Sequence, residues 1–225
     1  MSKLSSIKRA CKINDIVFNE IIKNFNFKTE KQISDYIKKR FKDFNVKHAF
    51  PSIVANNSKT IHAKPRNKKL KRGFLILDFG CKHNGYCSDM TRTIFLGNPN
   101  KFEKILYNLV LGCEKKCINK LRIGMNYCDL DLYARILLKN YKQYFTHNLG
   151  HGLSKKIHDL PKIGIVSNDE VKKNDIITIE PGIYFKLGNK EKGIRIEDNV
   201  YIGNKIRILS KASKKLISIK RFKNR

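Results

Sequence analysis

The stretch from Ile76 to Thr93, ILDFGCKHNGYCSDMTRT, constrains this chain more than any other. An apolar run, Phe74 to Leu77, leads into Asp78; His83, Asn84 and Gly85 follow as turn residues, and Asp89 stands on the returning arm. If the chain reverses about His83 and Asn84, antiparallel pairing sets Asp78 directly opposite Asp89. Side chains opposed in this way share a face with Cβ atoms about 5 Å apart, and like charges so placed repel. Asn-Gly turns are common, and either aspartate could simply end a strand at the surface. The continuous apolar run before Asp78 instead favours a strand buried on both faces, where an uncompensated carboxylate is costly. Two carboxylates held together in such a place either share a proton or bind a cation.

Around this hairpin, apolar residues at helical spacing predict a helix from about Leu4 to Phe25 and a second from Thr29 to about Phe41, with Thr29 as its N-cap. A strand is expected over Phe50 to Ala55, then a polar loop from Asn56 to Arg72 that carries His62. Two helices, Lys101 to Lys120 and Asn126 to Asn140, are separated by a break at Arg122 to Met125. Strands are expected around Phe145 to Leu149, over Ile176 to Glu180 and over Gly193 to Val200, and the run Lys211 to Arg225 reads as a last strand followed by a basic tail. Two helices followed by strands occur twice, a hint of internal duplication. No low-complexity linker divides the chain, so residues 1–225 are expected to form one α+β domain.

Composition narrows the class. The chain has 225 residues, 41% of them apolar, which supplies a core and argues against global disorder. No apolar run approaches the length of a membrane span, and the N-terminus is too polar for a secretory segment, which makes the cytoplasm the default. The six cysteines, Cys11, Cys81, Cys87, Cys113, Cys117 and Cys128, have no Cys-x-x-Cys spacing and read as reduced thiols rather than a zinc site or a disulfide framework. A formal net charge of +29 would gather polyanions such as RNA non-specifically. The basic residues are spread along the chain without an aromatic-basic recognition module, so charge alone does not define a nucleic-acid role.

Three further segments put polar residues where a core strand should be apolar. In ITIEPG, Glu180 ends a buried-looking strand just before the turn pair Pro181-Gly182. In GIRIEDN, Arg195 and Glu197 share one strand face and Ile194 and Ile196 the other. His151 lies between two glycines, which permit close backbone approach. Singly, each reads as a satisfied strand-end group. Together, the carboxylates of Asp78, Asp89, Glu180 and Glu197 with the imidazole of His151 form an oxygen-rich set suited to Mn, Co, Fe or Zn, with more negative charge than one divalent ion neutralises. Two ions bridged by shared carboxylates would fit.

In order and spacing, Asp78, Asp89 in SDMTRT, His151 in LGHG, Glu180 in IEPGIY and Glu197 in GIRIED resemble the five metal ligands of the pita-bread-fold metallopeptidases: the methionine aminopeptidases, Xaa-Pro aminopeptidases and Xaa-Pro dipeptidases. The resemblance runs over nearly the whole chain. The pieces THNLGHG, IEPGIYF and GIRIEDN are closer to the proline-peptidase branch. The resemblance implies a curved antiparallel sheet with helices packed on its outer face and two divalent ions. Asp78 would chelate one ion, Asp89 and Glu197 would bridge both, and His151 with Glu180 would complete the other. A metal-bridging hydroxide would attack the peptide, with Glu180 shuttling its proton to the leaving nitrogen. His158 matches the histidine that stabilises the oxyanion, His62 the one near the peptide amide, and His147 one lining the substrate pocket. Arg195 would orient the bridging carboxylates. His83, at the hairpin turn, reads as plain surface, and His62 sits in a basic loop where a surface reading is equally open.

Proline-peptidase relatives usually carry an extra N-terminal domain that caps the cleft and promotes dimerisation, and this chain is expected to begin at the catalytic domain. Ser154 stands where the family usually has glycine, Lys155 and Lys156 occupy positions often apolar or acidic, and Asp159 replaces a glutamate, all beside the substrate rather than among the ligands. The resemblance implies a peptide substrate and leaves a homodimer open. Three readings stand: an Xaa-Pro exopeptidase or dipeptidase, a methionine aminopeptidase acting on nascent chains, and a non-catalytic module on the same scaffold that binds ribosomes or nucleic acid.

Overall fold

The fold was determined as a computed structural model that describes residues 2–220 and residue 222. The first half comprises helices α1 (Lys3–Lys23) and α2 (Glu30–Asp43), then strands β1 (Lys47–His48), β2 (Ile53–Asn56), β3 (Gly73–Asp78), β4 (Cys81–His83), β5 (Tyr86–Cys87) and β6 (Thr91–Leu96). Helices α3 (Lys101–Lys120) and α4 (Tyr127–Leu137) follow, with a 3-10 turn over Lys139–Tyr144. The remaining strands are β7 (Gly150–Gly152), β8 (Asp159–Ile163), β9 (Ile176–Ile179), β10 (Gly182–Leu187), β11 (Lys190–Arg195), β12 (Asp198–Ile202), β13 (Ile206–Ile208) and β14 (Ser218–Ile219). The chain is α+β, as expected.

The helix starts follow from local chemistry. Thr29 Oγ1 accepts the Gln32 amide at 3.2 Å, the N-cap that the sequence indicates. Asn100 and Glu103 form a reciprocal capping box on α3, at 2.8 and 3.0 Å. Glu103 also receives Arg72 and Lys192, so this helix end is tied to the sheet. The loop after β2 is anchored through the buried Glu30, whose carboxylate accepts the amides of Asn56 and Arg66, both at 2.8 Å, and the guanidinium of Arg66.

Ordered side by side, the strands form four ladders: β14-β6-β3-β2, β13-β12-β9-β7-β8, β10-β11 and β1-β4-β5. Antiparallel pairing dominates, with β14 joined parallel to β6. All six residues of β3 are buried. Its alternation separates two cores: Leu75 and Leu77 pack with Ile94, Leu96 and the apolar stripes of α1 and α2, while Phe74 meets Phe95 edge-on at 5.0 Å in the core of α3 and α4. Both faces of this strand are covered, and that accounts for its unbroken apolar sequence. The β10-β11 hairpin lies against β3, with Ile76, Tyr184, Ile53 and Ala55 packed together.

Several expectations change. The hairpin reverses at Asn84 and Gly85, both with positive φ (50° and 79°), which a two-residue type I′ turn requires. His83 therefore pairs with Tyr86, and along β3 and β6 Asp78 faces Thr91, not Asp89. Asp89 lies just before β6, outside the ladder. No strand forms over residues 145–149, because the 3-10 turn occupies the preceding residues and β7 begins only at Gly150. The single strand expected over residues 193–200 is two strands of different ladders, broken at Ile196 and Glu197. His83 is half-buried with an enclosed, unpartnered Nδ1, not plain surface. All six cysteines are free, five of them buried. Of the expected basic tail, residues 221 and 223–225 lie outside the described residues.

Candidate metal centre

Five of the singled-out residues arrive on five structural features. Asp78 ends β3; Asp89 leads into β6; Glu197 occupies the break between β11 and β12; Glu180 follows β9; and His151 is the central residue of β7. Close backbone packing brings β7 in. A Cβ on Gly150 would lie 2.1 Å from the Thr178 carbonyl oxygen and one on Gly152 2.0 Å from that of Leu160, so neither position admits a side chain. The His151 amide donates to Thr178 Oγ1 at 3.0 Å, and that hydroxyl donates to Glu180 Oε1 at 3.3 Å.

Ligand-capable atoms of Asp89, His151 and Glu197 all lie within 4.8 Å of one another. His151 Nδ1 is 3.0 Å from the Gly152 carbonyl oxygen, a contact that places the proton on Nδ1 and leaves the Nε2 lone pair free. Nε2 is 3.5 Å from Glu180 Oε1 and 3.7 Å from Asp89 Oδ2. Asp78 is held by Arg195 Nη2. Buried Oδ1 of Asp78, Oδ1 of Asp89 and Oε1 of Glu197 have no hydrogen-bond partner. Orphaned carboxylate oxygens at this depth are rare in a folded protein, and an oxygen-rich donor set with one imidazole nitrogen suits divalent cations.

The electrostatics agree. Burial, followed by the charges of Glu197, Asp78 and Glu180, holds the Asp89 carboxyl well above the ordinary aspartate range, with Arg195 opposing. Glu197 is raised likewise, by burial and then by Glu180 and Asp78. Glu180 is pushed up to about 8, chiefly by burial. Burial pushes His151 down to about 4, the neutral state a ligating imidazole needs. These shifts favour the protonated forms of Asp89, Glu180 and Glu197, and positive charge among them would reverse that preference.

Arg195, 2% exposed, is the centre of the supporting network. Its Nε donates to Thr91 Oγ1 at 3.1 Å, which donates to Glu197 Oε2 at 2.8 Å; its Nη1 donates to Tyr184 Oη at 2.7 Å. The expected link from Arg195 to Asp89 and Glu197 is therefore different in detail: it grips Asp78 directly and reaches Glu197 through Thr91. Tyr184 Oη continues to His147 Nε2 at 3.0 Å. His158 packs edge-on against His151, ring centroids 4.5 Å apart, and is exposed on its outer side. Burial lowers its pKa, with the nearby charge of His62 adding to that effect. His62 is exposed on the loop over the site, where Ile61 O accepts from Arg195 at 3.4 Å.

Sequence reasoning missed four supports. Thr91 and Thr178 are hydroxyls on buried strands, two residues from Asp89 and Glu180, a spacing that could have marked them. Asn199 clamps the main chain of Asp89 from both sides, accepting its N–H at 3.1 Å and donating to its carbonyl. Arg92 donates to the Glu197 carbonyl at 2.5 Å and to Asp198 at 2.7 Å. The last two carried no local signal, because their partners are about a hundred residues away.

An α+β scaffold that gathers three buried carboxylates, a half-buried fourth and a neutral imidazole, with three carboxylate oxygens unpartnered among the described residues, presents a candidate divalent-metal centre. Comparison with known proteins makes this specific. The profile of metallopeptidase family M24 matches residues 5–204, and the chain belongs to that family. It is 35% identical over 224 residues to the Xaa-Pro dipeptidase of Pyrococcus furiosus, an alignment covering 96% of this chain and 63% of the relative. Among solved structures, the prolidase from Thermococcus sibiricus superposes with a TM-score of 0.90 at 33% identity, covering 96% of this chain and 60% of that one. The X-Pro aminopeptidase from Thermotoga maritima gives 0.89 at 29% identity, covering 96% and 63%. The α+β pita-bread fold expected from the motifs is the fold observed. The chain spans about three-fifths of the length of the relatives it matches.

Proposed function

We propose that the protein is a dinuclear metal-dependent exopeptidase that releases the N-terminal residue from dipeptides and short peptides with proline in second position. The observation that carries this reading is the cluster of ligand-capable atoms of Asp89, His151 and Glu197 within 4.8 Å of one another, together with buried carboxylate oxygens of Asp78, Asp89 and Glu197 that have no hydrogen-bond partner among the described residues. The names of the relatives support the proline preference. Asp78, Asp89, His151, Glu180 and Glu197 would hold the ions, Mn, Co, Fe or Zn, with Asp89 and Glu197 shared between them. Bound there, the ions would polarise the scissile carbonyl and activate a water.

The chain's own groups supply the rest. Glu180, a carboxylate beside the activated water, would take up its proton and deliver it to the leaving nitrogen. His158 beside His151 would donate to the developing oxyanion, and His62 would hold the peptide amide. His147, oriented by Tyr184, would line the pocket that receives the substrate. Arg195 balances the acids' charge and fixes Asp78 before substrate arrives. Residues 1–225 act in this reading as one catalytic domain in the cytoplasm, with a peptide as the binding partner.

The test is hydrolysis of Ala-Pro, Ala-Pro-Ala and Met-Ala-Ser by protein loaded with manganese or cobalt, beside Asp89→Ala. Cleavage of Ala-Pro that falls at least about a thousandfold in the variant is the expected result. Preference for Met-Ala-Ser would transfer the protein to methionine removal, and two bound ions with every peptide intact would sink the enzymatic reading.

A further inference from the structure

Away from the carboxylates, two adjoining concavities of about 680 and 580 Å³ run between the C-terminal end of α2, β1 and the β4-β5 hairpin, sharing Asn45, Val46 and Lys47 as a common wall. None of the metal-site residues lines them. Six lysines do: Lys38, Lys39, Lys42, Lys47, Lys82 and Lys155, against Asp35 as the one acidic residue. None of the six has an ion-pair partner among the described residues. Asp43, in the last turn of α2, and Glu20 of α1 are both paired with Arg40.

The register sharpens the point. Lys47 pairs directly with Lys82 across β1 and β4. Like charges directly opposed on antiparallel strands are destabilising, and neither lysine has an ion-pair partner among the described residues. Lys42 has a structural reason to be where it is, since a cation in the last turn of α2 complements the helix dipole. That reason does not extend to Lys47, Lys82 or Lys155. His48, on the same wall, adds a buried Nδ1 without a partner.

We propose that this lysine-walled groove is a binding site for the phosphate backbone of single-stranded nucleic acid, separate from the metal centre. Two linked concavities suit a linear polyanion better than one small anion. Lysine ammonium groups hold phosphates as point charges and carry no geometric demand for a flat carboxylate. Of the rings at the groove, Phe41 is buried and packed edge-on against His48, and neighbouring Tyr86 lies under Lys155 at 5.9 Å, so contact to the phosphates leads and recognition is independent of sequence.

The experiment is fluorescence anisotropy with a labelled oligouridylate of about 20 nucleotides, titrated with the full chain at several salt concentrations. A triple variant, Lys42→Gln, Lys47→Gln and Lys82→Gln, is compared with a control of equal charge, Lys104→Gln, Lys115→Gln and Lys116→Gln, exposed positions on α3. The groove variant should bind at least tenfold more weakly and lose about 2 from the slope of log K against log salt, at about 0.7 per phosphate contact. The control should change less than about threefold. Unchanged metal uptake shows that the groove variant is folded. Equal weakening in both variants, or in neither, overturns the proposal and assigns binding to diffuse charge. Displacement of the RNA by polyglutamate at matched charge overturns the choice of nucleic acid in favour of acidic protein.

Discussion

Asp78 and Asp89 share one site although they are not cross-strand partners. Their proximity comes from Asn199, which fixes the Asp89 main chain outside the ladder, and from Arg195, which holds Asp78. Thr91 takes the position opposite Asp78 that the sequence seemed to give Asp89, and its hydroxyl joins Arg195 to Glu197. Thr91→Val keeps the shape and removes that link, leaving a buried guanidinium N–H and a carboxylate oxygen unpaired. Such a loss costs about 1–3 kcal/mol of stability and, for a group that orients a metal ligand, about 10–100-fold in metal affinity. Calorimetric titration with manganese and a thermal melt of the metal-free protein check the two halves separately; retained affinity in a destabilised variant would leave Thr91 a purely structural role.

Elements meet around the site through buried charges as well as apolar faces. Lys214 bridges Glu114 of α3, at 2.6 Å, and Asp198 of β12, tying a helix to the strand that follows Glu197. Burial, then the charge of Asp198, pushes Glu114 up to about 8, while Arg92 and Lys214 hold Asp198 low against its burial. A carboxyl whose folded pKa lies above its unfolded value binds more protons when folded. Its contribution is complete below about pH 4.5 and is lost as pH rises towards about 8. Glu114→Gln, neutral throughout, should flatten the decline in stability across that window, measured by urea unfolding at a series of pH values. An unchanged slope would show that Glu114 is ionised in the folded protein at neutral pH.

The whole molecule concentrates acids in one place within a chain of net charge +29. Metal-free protein therefore carries two costs, buried acids held away from their ordinary ionisation and repulsion among surface lysines. Manganese or cobalt at about a hundred times its dissociation constant should stabilise by about 2.7 kcal/mol per site, raising Tm by roughly 5–10 °C for a chain of this size. Chelation should reverse the rise and Asp89→Ala should abolish it. A Tm indifferent to these ions, in protein that is folded, would count against a metal centre.

What was legible in the sequence was local. The apolar run of β3, the Thr29 cap, the α3 limits and the polar residues placed against the grain of buried strands all report on neighbours close along the chain, and they were enough to single out five candidate residues and to point to the fold family. The ladder partners of Asp78, the break at Glu197 and the clamps by Asn199 and Arg92 were decided only by tertiary structure. A strand's register depends on φ at two turn residues and on contacts with strands that arrive a hundred residues later. The lysine groove shows the same division: composition announced the charge, but only the pairing of Lys47 with Lys82 revealed where it is left unbalanced.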